Sequence, residues 1–320
     1  MGKYLLKRLG QTLVVILLVS IATFFLVSLV PGDPVYIVAG TDEITDEQYQ
    51  RIYNDLHLDK SAPERYLLWM KGVLHGDFGR SYIYNEAVWS IIKPRVSTTL
   101  YLSVLALVIS VPIGVVMGTI TAVYRKKWPD TVITLLANLS NCLPQFWIGV
   151  LLLYFFSYRM KIFPTMGFGW PAEIGLAKHI HGLVLPVACL CLNCVAGFTR
   201  QTRSSMLEVI RQDYIRTARS KGIRERKVYF KHMMKNGLIP IITAIGTRLA
   251  RLMGGSMVVE NVFAIPGMGV LARTAVQSKD IPLIQAITLL TSLVTCLVFI
   301  LTDIAYAAVD PRISLTEHGD

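Results

Sequence analysis

The 320 residues are 53 % apolar, with a mean hydropathy of +0.51 and a formal net charge of +11. A soluble chain of this length would fold as about two domains, but several runs of about 20 residues nearly free of charge override that and point to an all-α, multi-pass membrane protein. A basic balance of this size raises nucleic acid as a partner. The Lys and Arg residues, however, concentrate in loops flanking apolar runs, where topology accounts for them, and no nucleic-acid motif is present.

Lys3, Lys7 and Arg8 precede the first apolar run, residues 9–30. The run is too long for a signal-peptide core and no small-residue cleavage site precedes Pro31, so the pattern predicts an uncleaved first span with its N-terminus inside. Residues 31–97 are the longest polar stretch and carry seven basic against ten acidic residues, which places them outside. Thr45-x-x-Gln48 predicts a capping box opening a helix to about Leu58, and Ser61-x-x-Glu64, with Pro63 in the first turn, predicts another ended by Gly76. A third amphipathic piece, 86–92, is expected to stop at Pro94. Together they form a small helical extracytoplasmic cap.

The second span is expected over 98–124, with Gly114-x-x-x-Gly118 as a small-residue packing face and Arg125, Lys126 and Lys127 at its inner end. The third, 131–158, carries Pro144-Gln145 near its middle. A kink and an amide there serve helix packing or, alternatively, place Gln145 on a substrate path. The outer loop 159–182 holds His179-x-His181, whose spacing admits a metal but equally suits ordinary surface histidines. The five cysteines, Cys142, Cys189, Cys191, Cys194 and Cys296, all fall in apolar runs, which argues against a disulfide framework; Cys189-x-Cys191-x-x-Cys194 lies mid-span without a partner cluster, so no metal site is expected.

After a fourth span, 183–199, comes a basic segment over 200–240 in which eleven Lys or Arg face only Glu208, Asp213 and Glu225. The positive-inside rule holds it on the cytoplasmic side. Residues 204–208 are expected to start a helix, 214–221 to form a second one stopped by Gly222, and 224–235 a third that meets Pro240 at the entry of the next span. A fifth span is expected over 239–263, followed by Glu260-Asn261-Val262-Phe263-Ala264-Ile265-Pro266-Gly267-Met268-Gly269, and a sixth over 281–309, ending in Asp310-Pro311-Arg312. Inside loops and tails then hold 18 Lys and Arg and outside loops 12, in agreement with both termini being cytoplasmic.

Arg248 and Arg251 are the only basic residues within a span and stand three apart on one helix face. Charges at that depth cost a few kcal/mol or more unless they face the bundle or a cavity. Two readings stand: an internal ion pair of Arg248 with Asp303 in the sixth span, and a translocation path lined by Arg251 that favours substrates carrying carboxylates.

The basic segment resembles the signature loop of the inner-membrane permeases of binding-protein-dependent ABC importers, with Arg216, Thr217, Ala218, Gly222, Leu238 and Pro240 at the matching positions. Arg216 replaces the family's Glu and Thr217 an Ala. That departure, with Pro31-Gly32-Asp33-Pro34, His75-Gly76-Asp77-Phe78-Gly79-Arg80-Ser81 and the two motifs closing the fifth and sixth spans, is similar to the peptide and nickel (oligopeptide and dipeptide B-type) subfamily. The resemblance covers nearly the whole chain. It implies the type I permease fold, with residues 1–30 as tail and first span, 31–97 as cap, 98–310 as a five-helix core containing the coupling loop 200–239, and 311–320 as a cytoplasmic tail. It further implies residence in the bacterial cytoplasmic membrane, an ATPase contact made by Tyr214, Arg216, Thr217, Ala218, Arg219, Lys221 and Gly222, and a partner set of a second permease, two ATPases and an external binding protein. No G-x-x-x-x-G-K-[ST] is present, so energy is expected to arrive through contact; no catalytic residue and no cofactor is expected. The rival is an ion-coupled secondary transporter, which would carry mid-membrane carboxylates or His and an inverted repeat.

Overall fold

The computed structural model describes residues 2–29, 31–40 and 44–309, and every regular element among them is helical. In chain order these are α1 (Gly2–Ser28), α2 (Pro34–Ala39), α3 (Asp46–Asp55), α4 (Ala62–Leu74), α5 (Val88–Val123), α6 (Trp128–Cys142), α7 (Gln145–Leu152) running into a π-helical turn (Leu153–Arg159), α8 (Pro171–Ile174), α9 (Leu176–Ile210) and α10 (Asp213–Ser220). Then follow α11 (Glu225–Lys227), a second π-helical turn (Val228–Met233), α12 (Met234–Gly237), α13 (Ile239–Gly255), α14 (Met257–Val262), α15 (Met268–Gln277) and α16 (Ile281–Val309). The motif Asp310-Pro311-Arg312 and the tail lie outside the described residues.

Among the described residues four helices are long and apolar enough to cross a membrane: Leu6–Ser28, Val88–Val123, Leu176–Ile210 and Ile281–Ala305. The third expected span is not a kinked rod. Pro144 cannot donate into a helical ladder and holds Leu143 in an extended conformation, so α6 ends and α7 restarts at 102° to it, giving a fifth crossing only if the bent pair counts as one. The expected 239–263 helix is likewise divided at Ser256 into α13 and α14. Pro94 does not stop a helix as its sequence context suggests; it lies inside α5, which forfeits one backbone bond there while Val88, Ile91 and Ile92 are held in a packed cluster. Nor does a helix start at Ser204: α9 continues without interruption to Ile210, through Pro186 as well.

The chain forms two compact units. In the first, residues 100–265 with 297 onward, α9 is the hub, its apolar window being 61 % buried against 22–39 % for the other crossing helices. Gly114 and Gly118 of α5 lie so close to Phe198, Thr199 and Thr202 of α9 that neither leaves room for a Cβ. This is the small-residue face at work: within lipid, close packing rather than water exclusion joins helices. One core cluster gathers Leu102, Ala106, Leu190 and Phe263; another holds Leu107, Val115, Phe198 and Ile241.

In the second unit, residues 2–99 and 266–296, the polar stretch after α1 is built on short caps. The Asp33 carboxylate accepts from Val35 N–H (2.9 Å) to cap α2 and from the Tyr49 hydroxyl (2.8 Å). The Thr45–Gln48 capping box is formed at α3, and Ser61 N–H donates to Glu64 (3.2 Å) at α4. Tyr66 and Trp69 of α4 pack with Phe24 of α1. The His75–Ser81 motif makes two left-handed turns, at Gly76 (φ 81°) and Gly79 (φ 82°), the second braced by Gly79 N–H donating to Asp77 (2.9 Å). These bring Ser81 to Asp280, a fully buried carboxylate ahead of α16: the Ser81 hydroxyl donates to it, as do the amides of Ile83 (3.4 Å) and Leu283 (3.3 Å). The motif is thus structural in this unit. His75 is a turn residue, its Nδ1 against the Lys71 carbonyl (2.7 Å).

Candidate functional site

A helix of 35 residues is about 52 Å long, well beyond the roughly 30 Å of a hydrocarbon core. The last turns of α9 therefore carry Arg200 and Arg203, with Arg211 just beyond, out of the apolar zone and present a platform for the basic segment. On it sits α10. Its Ile215 and Ala218, three residues apart, are buried in one cluster with Met206 of α9, Ala122 of α5 and Val228 and Met233 of the following turn. The opposite face exposes Tyr214, Arg216, Thr217 and Ser220, with Lys221 and Gly222 exposed beyond. Ala218 is thus a small residue that permits close approach inside its own chain.

The turn after α10 is tightly specified. Gly222 (φ 71°) is left-handed; its N–H donates to the Arg219 carbonyl (2.9 Å), and Ile223 N–H donates to the Ala218 carbonyl (3.3 Å). This pair of bonds is the Schellman C-cap, and Ile223 supplies its hydrophobic contact by packing on the same cluster. Arg219 turns back to make a bidentate pair with Glu225 (2.9 and 3.3 Å), which holds the Glu225 carboxyl below its ordinary range. Asn236 donates to the Tyr214 hydroxyl (2.8 Å), tying α10 to α12. An exposed pair of this kind contributes about 0–1 kcal/mol, so the apolar base and the cap position α10 more than the ion pair does.

The other expected site residues are dispersed. Arg248 is half-buried on α13 with its guanidinium laid on Gly197 of α9, where any Cβ would collide with it. Arg251, a helical step of 60° away, is exposed. Gln145 begins α7, and its backbone carbonyl accepts from Cys189 Sγ (3.6 Å). Asp303 is half-buried on α16.

The histidine pair holds the loop together. Buried His179 places Nδ1 on the Gly169 carbonyl (2.7 Å) and Nε2 on the Tyr101 hydroxyl (3.0 Å) and stacks on Trp170, while His181 Nε2 meets the Ile162 carbonyl (2.6 Å). No group of three metal-ligating side chains occurs among the described residues, and Cys191 donates to the Ala106 carbonyl (3.5 Å). Sequence reasoning missed the bidentate pair of Arg203 with Asp130 (2.9 and 3.0 Å), which fastens α9 to the start of α6 and is backed by Lys126 N–H (2.9 Å) and the Thr134 hydroxyl (3.2 Å). The lone acid in the otherwise basic 125–130 stretch was its only signal.

The 35-residue α9 leads into a short, basic helix seated on an apolar cluster of its own chain, which leaves the polar face of α10 turned outward. The sequence matches the model of the binding-protein-dependent transport system inner membrane component over residues 110–315 and that family's N-terminal component over 1–103. The chain belongs to that family and is a permease. It is 39 % identical over 320 residues, 99 % of this chain and all of the relative, to a Brucella ovis protein named for peptide permease function. It is 37 % identical over 313 residues, 98 % of this chain and 99 % of the relative, to the glutathione transport system permease protein GsiC of Pectobacterium atrosepticum. A chain of the MetNI methionine ABC transporter in an inward-facing form shares the fold, with a TM-score of 0.54 at 16 % identity over 69 % of this chain and 96 % of that one.

Proposed function

We propose that the chain pairs with a second permease to form the path of an importer for peptides or metal chelates, taking substrate from an external binding protein and energy from two ATPase subunits that seat on α10. The observation that supports this reading is α10 itself, which spends its apolar face on its own chain and leaves Tyr214, Arg216, Thr217 and Lys221 outward. The path runs past Arg251, whose exposure on α13 suits a cation offered to a substrate carboxylate. In this reading the chain crosses six times, the broken 128–159 and 239–262 segments each counting as one, with both termini in the cytoplasm and the cap of 31–97 outward, where it meets the binding protein. ATP hydrolysis belongs to the partners. Lys221→Glu tests the central point: it reverses the charge of an exposed side chain, so insertion and co-purification of the second permease stay normal while substrate-stimulated ATP hydrolysis falls at least tenfold, the scale of an interface hot spot. Normal stimulation would remove α10 from the contact. Cysteine labelling at Gln50 from the cytoplasmic side alone would overturn the topology.

A further inference from the structure

One stripe of α9 changes character at Thr199. Toward the N-terminus Leu192 and Ala196 line an apolar cavity of about 440 Å³ between α6, α7 and α9. Toward the C-terminus Arg200, Arg203 and Arg211 line a polar cavity of about 420 Å³. Ala137 and Thr199 belong to both, so the two are one continuous groove, oily at one end and basic at the other. Thr199 is 2 % exposed, and its hydroxyl has no hydrogen-bond partner among the described residues. Asp130 compensates Arg203, and Glu208, in the same pocket, offsets one of the other two arginines, which leaves about one positive charge unneutralised.

We infer that this groove seats an anionic phospholipid from the leaflet on the coupling-loop side, an acyl chain lying along α9 past Trp147 and the phosphodiester meeting Arg200 and Arg211. The length fits: Leu192 to Arg211 spans about 28 Å of helix, of which the last 18 Å, from Thr199, is the polar part. A lipid satisfies both ends at once, since a free anion has no use for the apolar half and a neutral lipid leaves the arginines uncompensated. Because the groove abuts the platform under α10, its occupant would stiffen the helix that carries the basic segment.

Trp147 lines the apolar cavity and reports its contents. The assembled transporter is placed in phosphatidylcholine nanodiscs containing equal mole fractions of either brominated phosphatidylglycerol or brominated phosphatidylcholine, and the Trp147 signal is taken as the difference from Trp147→Phe. Brominated phosphatidylglycerol should quench it with about fivefold higher apparent affinity, the worth of roughly one uncompensated arginine at a membrane surface. In Arg200→Gln/Arg211→Gln the two lipids should become equivalent, with quenching retained. Equal quenching by both lipids in the unaltered chain would overturn the inference. So would no quenching by either, which would mean that a partner subunit covers the groove, and so would displacement of the quencher by millimolar inorganic phosphate, which would make the pocket a free-anion site.

Discussion

Replacing Gly222 separates backbone conformation from side-chain space. Nothing lies within 4 Å of a Cβ built there, so no neighbour opposes a larger residue and the cost falls on the left-handed φ of 71°. For a β-branched residue that cost is about 1–2 kcal/mol, or a roughly 5- to 30-fold loss of the native turn relative to alternatives; for Asn it is smaller, because Asn visits this region readily. Gly222→Val should break the two cap bonds, to the Arg219 and Ala218 carbonyls, and release Ile223 from the cluster under α10. Hydrogen exchange at the Ile223 amide in the assembled complex should then quicken by about 5- to 30-fold, and substrate-stimulated ATP hydrolysis should drop, while Gly222→Asn stays near the unaltered protein. Unchanged exchange and unchanged stimulation in Gly222→Val would refute the argument that this cap presents α10.

Gly118→Ala should lower thermal stability by about 1–3 kcal/mol, because its Cβ would meet the Thr199 carbonyl oxygen at 2.7 Å, which backbone cannot yield, whereas Gly10→Ala, with nothing within 4 Å, should not; equal melting of the two in the purified complex would contradict it. Arg251→Gln and Arg251→Leu should reduce uptake of a carboxylate-bearing peptide with the complex still assembled; unchanged uptake would take Arg251 off the path. Burial, and secondarily the Asp280 charge, push the Tyr82 hydroxyl up to about 12, above its ordinary 10. The neutral form is thereby favoured in the folded state, so stability is intact below pH 10 and about 3 kcal/mol is lost as pH rises toward 12. Tyrosinate absorbance should show a late-titrating component that Tyr82→Phe removes, and an unchanged titration in Tyr82→Phe would contradict this.

Sequence alone determined whatever depends on neighbours along the chain. Apolar runs made the long helices, Thr45 and Ser61 marked helix starts, and Gly222 marked the stop of α10, because these follow from side-chain hydropathy and φ preference within a few residues. Tertiary structure decided the rest. Pro144 reads as a kink and is a 102° break, whereas Pro94 reads as a stop and is carried through, since the outcome turns on whether packing outweighs one lost backbone bond. Arg248 and Asp303 are both visible as buried-charge problems, but which way a long guanidinium turns depends on Gly197, fifty-one positions away, having no side chain. The Arg203–Asp130 pair and the groove beside it arise where α6 and α9 meet. Their residues are some seventy positions apart, and only the close approach of the two helices gives them a common chemistry.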